Sequence, residues 1–356
     1  MKRSFAKFFY ITLLSIFSLT VACAQNTETR SSPANSTAPQ LKWDKIELPF
    51  DVYTLSVKDN ALFAFGSDEF GTINAGKFET LGKYRINKSY KFDGRNLTHI
   101  EKGIAECVPS YAAFAGGFFY IRSECDHGGQ ILRVDPAKNA STESIYISYR
   151  AEDHRSGRVL GPADSLECNG RYLIPAYNDK AAPKPVLLTP DYAKPSFGTI
   201  WEGSKQPGTI AAAACSEGRG WFANDDDELF VSENTADGDW HYLAKLPNAG
   251  GELKDLRFAD KERGCLIRKN AVFTSIDGGK TWRQIGAELE DDLEAIAVDK
   301  GRIVITGAKG LYFVSGDKAL VKLNQPEGVS LNSTKIFGDM IFAVSRGNVY
   351  TAKLPF

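Results

Sequence analysis

Four histidines, His99, His127, His154 and His241, are scattered along the chain and form no H-x-x-x-H pair, so each reads as a surface or satisfied structural residue rather than a catalyst. Asn224, Asp225, Asp226 and Asp227 stand consecutively, and clustered carboxylates suit hard cations such as calcium. The run lacks the alternation and the distal Glu of a calcium loop, so it reads as a solvated turn. Six cysteines are present without a C-x-x-C spacing, which gives zinc no signature. No metal or cofactor is expected. A turn centred on Gly116 places opposite each other residues whose numbers sum to 232. Cys107 and Cys125 meet that condition, so a cross-strand disulfide between them is expected.

The elements that must position these groups are organised around one stretch, Ser275-Ile276-Asp277-Gly278-Gly279-Lys280-Thr281-Trp282. It reads as a hairpin turn. Asp277 can accept hydrogen bonds from amides of its own turn, Gly278 and Gly279 supply positive φ, and Trp282 has a broad apolar surface to bury against a neighbouring sheet. The eight residues match the S-x-D-x-G-x-T-W pattern and resemble the Asp-box of sialidase-like and photosystem II assembly-factor-like β-propellers. Ser275, Asp277, Gly279, Thr281 and Trp282 occupy its structural positions. In that family the box is a turn at the outer edge of a blade, away from the ligand face, so the resemblance implies architecture and says little about chemistry.

The strand phrase before the box recurs. Ser232, Ser275, Ser315 and Ala352 end equivalent apolar runs at spacings of 43, 40 and 37 residues, as four-stranded blades of about 40 to 45 residues give. Three further units run over residues 52–90, 107–147 and 165–201. The expectation is an all-β, seven-bladed propeller of antiparallel four-stranded blades over residues 41–356, with six or eight blades also open. The last unit ends without an outer strand. Residues 41–48 resemble the outer strands at Trp240 and Trp282, so they are expected to pair with the final blade and close the ring, removing its exposed edges. Cys168, Cys215 and Cys265 then fall on one rim, where two of them can pair across a blade boundary.

At 356 residues and 43% hydrophobic residues the chain has material for a large core. A formal net charge of −1 excludes the basic excess of a nucleic-acid binder. Lys2, Arg3 and Lys7 precede the apolar residues 8–21, and Ala22, Cys23 and Ala24 follow, the pattern of a secretory signal. Two cleavage readings compete: an A-x-A site that removes residues 1–24, or a bacterial lipobox that removes residues 1–22 and leaves Cys23 lipidated, although Thr20 departs from the usual Leu. Residues 25–40 are a polar, flexible linker. The expectation is an exported monomer in the bacterial periplasm or at the outer membrane, touching the membrane only through that anchor.

The sharp enzyme hypothesis is a sialidase-like glycosidase, since the phrase Gly170-Arg171-Tyr172-Leu173-Ile174-Pro175-Ala176-Tyr177 also resembles that superfamily. Catalytic members carry an R-I-P-type motif in the first blade and an arginine triad that clamps a carboxylate. Here Arg171 falls in a later blade and no such triad is marked, so no catalytic residue carries over. What remains is a face. Loops joining second to third strands, and one blade to the next, share one side and gather Asp126, His127, Asp225, Arg268, Lys269, Lys309 and Arg346. The long connection carrying Arg150, Asp153, His154, Arg155 and Arg158 joins them. Acidic loops come from early blades and basic loops from late ones. Loops on a rigid scaffold carry binding residues, so this face is expected to hold an unidentified protein partner. A divergent glycoside hydrolase and an envelope inhibitor or immunity-type lipoprotein are the alternatives.

Overall fold

The computed structural model describes residues 39–355, apart from 50, 59–60, 67–68, 75–76, 84–88, 93–96, 101–107, 126–127, 136–141, 148–157, 161–164, 179–184, 192–195, 203–208, 236–237, 317–318 and 346. Seven antiparallel sheets follow one another, each here called a blade and numbered in chain order. Their inner strands are Val52–Lys58, Val108–Ala115, Leu166–Cys168, Ile210–Ser216, Leu253–Phe258, Leu293–Asp299 and Ser333–Phe337. Each inner strand lies against that of the next blade, and the seventh lies against the first. This is a closed β-propeller. A two-stranded ribbon, Ser89–Phe92 with Leu97–Ile100, is inserted between the first two blades; the repeat pattern had merged its first strand with blade 1.

Alternation along each strand sends successive side chains to opposite faces, so every blade must be apolar on both. Blade 5 shows this in its second strand, Gly264–Arg268, buried along its whole length. Leu266 faces blade 4, while Cys265 and Ile267 face blade 6. Seven apolar clusters result, one for each contact between neighbours. Closure uses the N-terminal strand Trp43–Ile46, which pairs antiparallel with the third strand of blade 7, Trp43 opposite Ala352 and Ile46 opposite Val349. Asn324 clips the start of this strand. Its Nδ2 donates to Leu41 O at 3.0 Å, its Oδ1 accepts from Leu41 N at 2.5 Å, and its carbonyl accepts from Trp43 Nε1 at 3.1 Å.

The Ser275–Trp282 turn is held by side chains on backbone. Ser275 Oγ accepts from Gly279 N at 2.9 Å, and Asp277 accepts from Thr281 N at 2.9 Å and from Thr281 Oγ1 at 2.6 Å. Desolvation opposes the Asp277 charge, but these Thr281 bonds and the Ser275 hydroxyl outweigh it and hold the carboxyl below its ordinary pKa. Gly279, at φ +93°, leaves no room for a Cβ, which would sit 2.8 Å from Leu229. Trp282 is only half-buried, edge-on to Phe258 at 5.9 Å. The fully buried indole is Trp221 of blade 4, stacked 3.7 Å from Phe258 and donating to Gly278 O at 3.0 Å. Blade 4 therefore grips the turn of blade 5 from within.

Two of the three rim cysteines are joined: Cys168 of blade 3 is disulfide-bonded to Cys215 of blade 4, and Cys265 is free and buried. Of the expected Cys107–Cys125 pair, Cys107 lies outside the described residues, and Cys125 ends the strand Phe118–Cys125 of blade 2.

Candidate functional site

The inner strands carry a repeated irregularity at the end where one blade leads into the next. In blades 1, 2, 4, 5 and 6 the pairing with the second strand shifts by one residue, leaving Tyr53, Ser110, Ala211, Lys254 and Glu294 as the extra residue of a β-bulge. Packing records the shift. Val52 and Leu55 share one cluster, as do Ile210 and Ala213, Leu253 and Leu256, and Leu293 and Ile296. Three-residue spacing on one face is impossible in a regular strand. The bulged residue is the one turned outward: Ser110, Lys254 and Glu294 are exposed and Tyr53 and Ala211 half-exposed, while the residue before each is buried. Five of the seven blades thus present a side chain around the axis of the ring, on the side of the second-to-third strand loops.

Beneath these side chains the blades are stitched together. Arg257 Nη1 of blade 5 donates to Ala213 O of blade 4 at 2.9 Å, and Asp255 Oδ2 accepts from Ile296 N of blade 6 at 2.8 Å. Such bonds fix the bulged residues relative to one another, as a binding surface requires.

The charged loops expected on this face divide into two kinds. Arg268 is a tie and not a free cation: its side chain is 4% exposed and donates to Asp227 Oδ1 at 2.6 Å, to Pro247 O at 2.6 Å and to Gly251 O at 2.8 Å. Its expected role in binding is corrected accordingly, because these acceptors use the guanidinium from three sides. Asp225, Lys269 and Lys309 are exposed on the expected side. Asp225 accepts from Thr209 N at 3.1 Å, Lys269 Nζ lies 3.8 Å from Asp292, and Lys309 Nζ donates to Glu290 O at 2.7 Å. Asp126, His127, Arg150, Asp153, His154, Arg155 and Arg346 lie outside the described residues. Arg158 is in a blade 3 strand, opposite Asn178.

A further correction concerns charge. The late blades are not simply basic, because the connection from blade 5 to blade 6 brings Glu290, Asp291 and Asp292 beside Lys269 and Lys309, and Glu294 follows at the start of the next inner strand. Asp291 is buried and structural, accepting from Tyr312 Oη at 2.8 Å and Lys309 N at 2.8 Å. Although Glu294 is exposed as a residue, partial desolvation of its carboxyl, with Asp291 and Asp292 adding to it, raises it above its ordinary pKa, against the pull of Lys254. The acidic run was visible in the sequence; its place beside the lysines was not. Among the described residues no group of three or more His, Cys, Asp or Glu is placed to hold a metal ion.

No protein-family model matches the chain, and no curated protein matches it. Solved structures do. Catalytically inactive virginiamycin B lyase from Staphylococcus aureus with quinupristin is similar at TM-score 0.62 and 12% identity, over 88% of this chain and 99% of that one. YCF48 bound to D1 peptide is similar at TM-score 0.55 and 13% identity, over 90% and 98%. BamB from Moraxella catarrhalis is similar at TM-score 0.50 and 12% identity, over 85% of each. The likeness is one of fold. At these identities it carries no residue of any active site into this chain.

Proposed function

We propose that the chain is an exported, non-catalytic propeller that binds another protein through the face around its axis. The observation that carries this reading is the set of five bulges, since bulges re-aim side chains next to binding and active sites and here they aim them at one place. Tyr53, Ser110, Lys254 and Glu294, with Asp225, Lys269 and Lys309 on the surrounding loops, form the contact surface. In this reading Arg158 of blade 3 also contributes to it, as do Asp126, His127, Arg150, Asp153, His154, Arg155 and Arg346. The solved relatives support a binding role in kind, as one of them is a propeller with a bound peptide. Export is supported by the disulfide, which persists in oxidising compartments, and by the basic, apolar N-terminus, which ends either at residue 24 or at a lipidated Cys23. The Asp-box then serves as a structural turn in blade 5.

The test is partner recovery from envelope extract with the wild type, with a Lys254→Glu, Glu294→Lys double variant and with an Arg155→Glu, Arg158→Glu double variant. Both variants are expected to keep the fold by circular dichroism and to lose the same partner. Equal recovery by all three proteins, or turnover of sialosides or aryl glycosides by the wild type, would overturn the reading. The second outcome would favour a divergent glycosidase, and a captured toxic enzyme would specify an inhibitor or immunity-type lipoprotein.

A further inference from the structure

Blade 3 differs from its neighbours at its inner edge. Its second strand, Arg171–Asn178, is flanked there by two short segments rather than one continuous strand. Leu166–Cys168 pairs with Arg171, Tyr172 and Leu173, and Arg158–Leu160 pairs with Ala176, Tyr177 and Asn178. Ile174 and Pro175 have no inner partner among the described residues and pair only outward, with Leu188 and Leu187. Every other inner strand is unbroken over five to eight residues. Three residue pairs are a weak hold for a segment that must complete the wall against blade 4, where it contributes only Leu166 and Cys168 to the shared apolar cluster.

The disulfide sits at that point. Cys168 is the last residue of the short segment and is fully buried, whereas Cys215 is half-exposed on the inner strand of blade 4. Thr235 Oγ1 donates to Cys168 Sγ at 3.4 Å. We propose that the Cys168–Cys215 disulfide is a redox-sensitive latch that holds the inner segment of blade 3 on blade 4, and that a dithiol reductant releases this segment while the rest of the ring stays closed. The chemistry has a direction. A thiolate of the dithiol attacks the sulfur of Cys215, the less buried of the two residues, and the bond to Cys168 breaks with its electron pair on the Cys168 sulfur, where the Thr235 hydroxyl stabilises the departing thiolate until the opened segment lets it be protonated. The second thiol of the reductant then attacks its own sulfur in the mixed disulfide. This yields a Cys215 thiol and the reductant's cyclic disulfide, so two protein thiols replace one protein disulfide. The seam at blade 7 is closed by strand pairing and does not depend on this bond.

Hydrogen exchange followed by mass spectrometry on the full chain tests this, with and without dithiothreitol and with alkylation to confirm reduction. The expected result is at least about tenfold faster exchange in residues 166–173 and 210–216 on reduction, with blades 5 to 7 unchanged. A Cys168→Ser, Cys215→Ser variant is expected to show the fast pattern without reductant and no further response there. Should that variant fail to fold, reduction of the folded wild type alone decides. Protection unchanged within about twofold in the fully reduced protein, a loss spread evenly over all blades, or a response to dithiothreitol persisting at these segments in the variant would each overturn the latch.

Discussion

Blades 4 and 5 hold the residues that flank the connection between their third and fourth strands by different means. In blade 5, Ser275 and Asp277 satisfy amides of the turn, and the chain closes over glycines too crowded for a side chain. In blade 4, Ser232 Oγ and Trp240 Nε1 are buried with no hydrogen-bond partner among the described residues. Packing does the work instead. Gly220 leaves space that a Cβ would deny to Thr235 and Trp240, at 2.4 and 2.6 Å, and Trp240 lies 5.0 Å from Phe222. The disulfide then ties the same blade to blade 3. Blade 4 keeps its place in the ring although its polar turn signature has decayed, with apolar contact and a covalent linkage around it.

The comparison can be broken most severely at Trp221, which belongs to blade 4 but stacks in the shared core and bonds to the blade 5 turn. Trp221→Ala is expected to cost about 3 to 5 kcal/mol in urea unfolding, the range for a fully buried aromatic, and more than Trp282→Ala, whose ring is only partly buried. A larger loss at Trp282 would mean that the blade 5 turn, and not the packed core, governs this half of the ring. The two serines separate the mechanisms more finely. Ser275→Ala strands the buried Gly279 amide and is expected to cost about 1 to 2 kcal/mol, whereas Ser232→Ala removes a hydroxyl with no partner among the described residues and should fall within about 0.5 kcal/mol of the wild type. Equal effects would erase the distinction.

The smallest expected effect is in pH dependence. Asp277 has its folded pKa depressed, so its contribution is present above the unfolded value near 3.9 and is lost as pH falls through the folded one. Asp277→Asn should flatten the decline in stability below about pH 4 while lowering stability at neutral pH. An unchanged acid limb in chemical denaturation would show that the carboxylate is not used as the geometry implies.

Much of the scaffold was legible because its signals are local or repeat. The resemblance of Trp43-Asp44-Lys45-Ile46 to Trp282-Arg283-Gln284-Ile285 was enough to place the closing strand, and three cysteines at equivalent places were enough to expect a bond across blades. The binding face was less legible. The burial of Arg268 depends on Pro247 O and Gly251 O, carbonyls that carry no side-chain signature. The bulges left a trace in apolar residues three apart, such as Leu253 and Leu256, but a bulge is defined by its partner strand and emerges only when the register is known.

Ring closure also sets an order of events in time. The strand Trp43–Ile46 is among the first parts of the propeller to be synthesised, and its partner Asn348–Lys353 is the last. At about 5 to 20 residues per second, the roughly 300 residues between them take roughly 15 to 60 s to make. Through that interval the early strand has no edge to join and the growing stack ends in an open one. The Asn324 clip, which bonds to Leu41 and Trp43 across more than 280 positions of sequence, can engage only near the end. Until Asn348–Lys353 is available to Trp43–Ile46, the propeller has two unpaired edges open to other strands, and it becomes a ring only when these two meet.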